Sequence, residues 1–188
     1  MITTPLRILL AEHDKTDAEL ITDHLSKIVV TLDVKVVDNL PHFNQELQTF
    51  IPDVIISDYN LPTCTGLDIL KTTKDFDPNL PFIFLTGTIE DEELAANTIL
   101  SGASGFILKK NMQSIQEKLR PLLKRVVFNM SESSEVREKL RNNRIAINQI
   151  YQYLENIKYE NEDQKRSLKD IKKSMDELNF GENDIEIS

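Results

Sequence analysis

Five short apolar runs, each followed by a stretch of helical spacing, constrain this chain more than any other feature. Leu6–Ala11 precedes Thr16–Lys27, and Val34–Val37 precedes Phe43–Phe50. Val54–Ser57 precedes Gly66–Asp75, Pro81–Leu85 precedes Asp91–Leu100, and Phe106–Leu108 precedes Met112–Val127. A strand that is apolar along its whole length must be covered on both faces, so such strands belong in a parallel sheet with helices on each side. The expected fold class is α/β: a doubly wound, five-stranded parallel sheet. Pro121 falls inside the fifth helical stretch and is expected to kink or divide it.

The chain changes character after this region. All seven prolines and four of the five glycines precede residue 125, and neither type occurs between Ser131 and Phe180. The expected organisation is an α/β domain over 1–128, a helical extension over 129–180 and a polar tail over 181–188. From Val136 a heptad can be written. Its a positions are Leu140, Ile147, Leu154, Asn161, Leu168 and Met175, and its d positions are Val136, Asn143, Ile150, Ile157, Gln164, Ile171 and Leu178. Ten of these thirteen are apolar, which predicts a long helix forming a coiled coil. As one helix, residues 136–178 would span about 65 Å. A helical hairpin turning at Tyr159–Lys165 is the alternative, but that polar stretch lacks turn residues. Asn161 and Gln164 in mid-seam favour a parallel homodimer through 136–178, while Leu at a with Ile at d leans toward higher states.

Charge and composition remove several classes of function. The formal net charge is −9, and residues 131–188 hold ten Lys and Arg against thirteen Asp and Glu. A nucleic-acid partner, which requires clustered cations, is not expected. Cys64 is the only cysteine, so no intrachain disulfide forms, which fits a reducing compartment. No apolar run is long enough to span a membrane, and the first residues do not read as a signal peptide. A cytoplasmic location is expected. No phosphate-binding glycine loop or Cys/His metal cluster occurs, and the extension has no histidine to carry a phosphohistidine.

The third apolar run poses the functional question, because Val54–Ser57 ends abruptly at Asp58. In a doubly wound sheet, ligands bind beyond the carboxyl ends of the strands. Glu12, His13 and Asp14 follow the first run, Thr86 and Gly87 the fourth, and Lys109 and Lys110 the fifth. Taken singly, Lys109 reads as a solvated lysine, Thr86 as a hydroxyl satisfied by a turn, and Phe106 as core. Together they bring acids, a hydroxyl and an amine to one edge. A carboxylate flanked by acids calls for a cation such as Mg²⁺, and a cation, an amine and a hydroxyl can hold a phosphoryl group. Asp58 therefore reads as a phosphoryl-accepting aspartate.

From Leu6 to about Lys124 the sequence resembles the receiver domains of response regulators in two-component signalling. "RILLAEHDKTDAEL" looks like the first strand and acidic pair of that family, and "PDVIISDYNLPTCTGLDIL" like its phosphoacceptor block. "PFIFLTGT" and "GASGFILKK" resemble the switch-hydroxyl and lysine blocks. The resemblance implies a flavodoxin-like fold and phosphorylation of Asp58 by a sensor histidine kinase or phosphotransfer protein. It implies Mg²⁺ held by Glu12, the residue at His13, Asp58 and the backbone carbonyl of Asn60. Thr86 and Lys109 would bind the phosphoryl group, Phe106 would be the switch aromatic, and Pro62 and Gly66 would shape the following loop.

His13 departs from the family, which usually places a metal-binding aspartate there. Three readings stand open: weaker Mg²⁺ binding, poor or altered phosphorylation, or preference for a softer metal. Asp14 lies one position out of frame to compensate. Cys64, His24 and His42 are assigned no role. The expected function is a phosphorylation-controlled signalling protein rather than an enzyme. A regulatory fragment of a larger protein with its effector elsewhere, and an unphosphorylated docking protein, are the alternatives.

Overall fold

The computed structural model describes residues 1–87, 101–130, 134–156 and 162–180. The expected helix over Asp91–Leu100 lies outside them. Two units are present, Met1–Ser134 and Glu135–Ser188.

The first unit is built on five strands: β1 (Leu6–Ala11), β2 (Leu32–Val37), β3 (Val54–Ser57), β4 (Phe82–Thr86) and β5 (Gly105–Leu108). They pair in the order β2-β1-β3-β4-β5, and every pairing is parallel. The doubly wound sheet expected from the apolar runs is the one observed. β3 and β4 are buried at every residue, whereas the edge strand β2 exposes most of its length. Helices α1 (Lys15–Ser26), α2 (Leu40–Thr49), α3 (Gly66–Phe76) and α4 (Ile115–Asn129) cover the sheet.

Side chains alternate between two apolar layers because successive strand residues point to opposite faces. One layer joins Ile8, Leu10, Ile56 and Ile83 to Ile21 and Leu25 of α1 and Leu119 and Leu123 of α4. The other joins Leu9, Ile55, Phe82 and Phe84 to Phe43 and Leu47 of α2 and Ile69 and Leu70 of α3. The first three helices start on a polar cap. Asp14, Asn39 and Thr65 accept the backbone N–H groups of Asp17, His42 and Asp68. Pro121 does not divide the last of these helices, as the sequence suggested it could. A 3₁₀ segment over Lys109–Ser114 precedes α4, and α4 then runs unbroken through Pro121 to Asn129.

The second unit corrects the expectation of one continuous helix. It contains α5 (Ser134–Glu155) and α6 (Glu162–Phe180). The Tyr151 hydroxyl donates to the Lys172 carbonyl at 3.0 Å. Residues that far apart on one straight helix would stand about 31 Å apart. The two helices therefore meet side by side, and the hairpin alternative is the one that forms. Part of the expected seam stays exposed, with Val136 at 42%, Ile150 at 48% and Ile171 at 49%. Leu154, at 8%, is buried.

The layer assignment has a measurable consequence. Leu119 is fully buried between α4 and the sheet, while Leu20 on α1 is exposed. Leu119→Ala is expected to cost about 2–5 kcal/mol in urea unfolding, because it leaves a cavity. Leu20→Ala should stay within about 0.5 kcal/mol of the parent. Equal effects at the two positions would contradict the packing described here.

Candidate functional site

Direction of winding creates the site. From β1 the chain passes to β2 on one side and later to β3 on the other. The helices after β1 and β3 consequently pack on opposite faces: α1 lies in one apolar layer and α3 in the other. A crevice opens between them, outside the carboxyl ends of β1 and β3.

Parallel pairing puts two acids there. Ala11 pairs with Ser57, so the next residues, Glu12 and Asp58, stand side by side. Asp58 donates its N–H to the Ala11 carbonyl at 2.9 Å, and Glu12 donates its own to Val37 at 2.9 Å. Both side chains belong to buried residues, with Glu12 at 3% and Asp58 at 7% exposure. Adjacent carboxylates withdrawn from water repel each other strongly.

Lys109, the residue after β5, meets that repulsion. Its Nζ lies 2.8 Å from Asp58 Oδ2 and 2.5 Å from Glu12 Oε2. A third carboxylate, Asp17 Oδ2, also accepts from it at 2.8 Å. Burial works against the lysine charge, but the hydrogen bonds it donates to Asp17, Asp58 and Glu12 outweigh it and raise the pKa above the usual 10.5. A lysine raised in this way contributes stability that is complete below its ordinary pKa and is lost only as pH climbs through the raised value. The ammonium is accordingly fully charged throughout the neutral range.

Asp17 is a site residue that sequence reasoning missed. It sits in the first turn of α1, and its spacing from Glu12 carried no motif. Asp14, considered there as a compensating acid, is occupied elsewhere. It caps α1 by accepting the Asp17 N–H at 2.9 Å, and that bond holds its carboxyl below the ordinary range. Its own N–H orients Glu12 by donating to Oε1 at 2.9 Å.

The remaining expected residues converge on the same edge. Asn60 donates its N–H to Asp58 Oδ1 at 3.2 Å. Thr86 ends β4 fully buried, and its Oγ1 has no hydrogen-bond partner among the described residues. Phe106 pairs with Phe84 across β4 and β5, is half-buried, and holds its ring 6.4 Å from that of Phe84. His13 is half-exposed, with Nδ1 3.5 Å from Glu12 Oε1. Glu12, His13 and Asp58 each offer one donor atom, all within 4.8 Å of one another. A cavity of about 300 Å³ opens elsewhere, lined by Asp53, Pro81 and Ser104 before their strands and by Arg125 and Asn129 of α4. It includes none of the acidic-site residues.

A family model of the response regulator receiver domain matches residues 8–120. The chain belongs to that family. This receiver resembles the signal receiver domain of a LuxO repressor protein from Vibrio parahaemolyticus, at 26% identity over 66% of this chain and 95% of the other, with a TM-score of 0.59. The non-phosphorylated HemR receiver domain of Leptospira biflexa matches at 25% identity over 69% of this chain and 98% of its own, with a TM-score of 0.56. Among curated proteins, the regulatory protein YvcP of Bacillus subtilis is 29% identical over 68% of this chain. The LuxO luminescence regulator of Vibrio campbellii is 32% identical over 42% of this chain. The matches span 52% of YvcP and 17% of LuxO, so those relatives are much longer than the shared region.

Receiver domains are signalling modules that bind Mg²⁺ at an acidic pocket. Here Glu12 and Asp58 are oxygen donors suited to such a hard cation, and His13 adds a nitrogen donor beside them. Among the described residues no helix is long and apolar enough to cross a membrane.

The loop after Asp58 is held by backbone proximity. Gly66 donates its N–H to the Tyr59 carbonyl at 2.7 Å, directly ahead of α3. A Cβ on Gly66 would lie 2.6 Å from the Asp58 carbonyl oxygen and 2.7 Å from the Phe84 ring. Gly66→Ala is expected to cost about 1–3 kcal/mol by overpacking and to shift the amide resonances of Tyr59 and Asn60. Unchanged stability with unmoved resonances would show that the loop yields freely.

Proposed function

We propose that Asp58 is the phosphoacceptor of this receiver, in a reaction that uses Mg²⁺. The donor would be a phosphohistidine on a sensor histidine kinase or on a phosphotransfer protein. One observation carries the reading: a buried carboxylate at a rigid strand end lies between the Asn60 N–H and the Lys109 ammonium. An Asp58 carboxylate oxygen would attack phosphorus while the phosphorus–nitrogen bond to the donor imidazole breaks. The bonding pair leaves with the imidazole nitrogen, and an acyl phosphate remains on Asp58. Lys109 is close enough to turn an N–H toward a phosphoryl oxygen. The buried Thr86 hydroxyl, without a partner among the described residues, suits a second donor. A bound divalent cation would neutralise charge on the phosphoryl oxygens. Phe106, half-buried against the Phe84 ring, is the side chain whose packing would follow a movement of Thr86. The output would then be a change of conformation read through protein–protein contacts.

The reading is tested with a small-molecule phosphodonor and Mg²⁺, followed by intact mass. The parent protein is expected to gain the mass of one base-labile phosphoryl group, and Asp58→Asn none. Phosphorylation of the variant at the parental rate would remove Asp58 from its role. An unmodified parent, given donor and metal, would leave a docking module with no phosphoacceptor.

Self-association through residues 136–178 belongs to the same proposal, now as pairing of hairpins rather than of single helices. It is supported by the exposure of Val136, Ile150 and Ile171 on α5 and α6. Apolar burial at roughly 25 cal/mol per Å² favours covering these positions with a second copy. Full-length protein is expected to sediment as a dimer at micromolar concentration, and Val136→Asp with Ile150→Asp as a monomer. A monomeric parent would show that the hairpin does not pair with itself.

A further inference from the structure

The donor set at the acidic edge is mixed, and this bears on which cation it takes. Glu12 and Asp58 offer carboxylate oxygens, while His13 offers an imidazole nitrogen. Donors bound to one ion at about 2.1 Å stand at most about 4.2 Å apart. The three donor atoms lie within 4.8 Å of one another. The two carboxylates are set by adjacent strand ends and by Lys109, so they move little. The His13 side chain is 44% exposed and its Nδ1 already lies 3.5 Å from Glu12 Oε1, so the imidazole is the donor with room to adjust. The buried Thr86 hydroxyl at the end of β4, without a hydrogen-bond partner among the described residues, is a second sign that this edge is built to receive a ligand.

We infer that this site selects first-row transition cations such as Mn²⁺ over Mg²⁺ more strongly than an all-carboxylate site would, and that His13 is the ligand responsible. The inference rests on the reading of this edge as the metal-binding, phosphoacceptor site. Two effects act in the same direction. Mg²⁺ is held almost entirely by charge and prefers oxygen, so replacing an anionic oxygen with a neutral nitrogen removes much of its attraction. Mn²⁺, Co²⁺ and Zn²⁺ accept imidazole, and affinity for sites containing nitrogen rises from Mn²⁺ to Cu²⁺. Asp14 does not restore the missing oxygen, because it is committed to capping α1. Asp17 is turned to Lys109. Mg²⁺ at millimolar concentration can still fill the site, so the inference concerns the ratio of affinities.

The test uses full-length protein without any phosphodonor. Mn²⁺ binding is measured from the loss of the free-ion electron paramagnetic resonance signal, and Mg²⁺ is titrated as competitor. The ratio of Mg²⁺ to Mn²⁺ dissociation constants in the parent is expected to exceed that of His13→Asp by about tenfold or more. Pulsed resonance spectra of the Mn²⁺-loaded parent should show hyperfine coupling to an imidazole nitrogen, absent in His13→Asp. Because His13 is half-exposed, that variant should fold. The nitrogen coupling is in any case read on the parent itself. A parent without nitrogen coupling overturns the inference, as does an unchanged ratio in the variant. Neither outcome touches phosphorylation of Asp58, which the mass assay reads separately.

Discussion

Glu12 and Asp58 stand side by side at the ends of β1 and β3, and the Lys109 ammonium is what makes that arrangement stable. Two adjacent buried carboxylates repel each other, and a cation between them offsets that repulsion. Lys109 reaches them from the end of β5, two strands away from β3, and also donates to Asp17 of α1. Three strand ends and one helix start are thereby tied to a single nitrogen. Any group that displaced Lys109 from these carboxylates would therefore act on the ends of β1, β3 and β5 and on the start of α1 at once.

The rest of the first unit holds this arrangement still. Strands buried on both faces leave the ends of β1, β3 and β4 little freedom, and two apolar layers press helices against them. The loop after Asp58 is fixed by different means. Thr65 and Asp68 form a reciprocal capping box at the start of α3, and Gly66 brings the helix against the loop where no side chain would fit. Phe84 links this loop to β5, since its ring lies near those of both Tyr59 and Phe106. The Tyr59, Phe84 and Phe106 rings thus form a packed aromatic row across β4 from the loop to β5.

The second unit shows how a strong sequence pattern can be correct about a helix and wrong about its partner. Apolar residues at alternating spacings of three and four say that a helix buries one stripe. They do not say whether the stripe meets another molecule or the same chain returning. Tyr159–Lys165 contains no glycine or proline, so local sequence favours one continuous helix over a hairpin. The Tyr151 hydroxyl nevertheless meets the Lys172 carbonyl of the other helix, a contact that leaves no trace in local periodicity.

Local order was enough for the α/β class, the sheet strands and most of the acidic edge. Asp58, Glu12, Thr86 and Lys109 each follow an apolar run directly, and a parallel sheet necessarily gathers its carboxyl ends along one side. Residues that reach the edge by other routes were not legible. Asp17 arrives because one turn of α1 carries it toward Lys109, and Asp14, one residue nearer in apparent frame, is consumed by the cap. Pro121 looked like a break, yet α4 continues through it with Leu119 and Leu123 packed on the sheet. What can be buried, and which residues stand at strand ends, follows from the order of residues alone, because period and polarity are local properties. Which carboxylates gather round the Lys109 ammonium, and which helix packs against which, depends on distances between residues far apart in the chain and emerges only on folding.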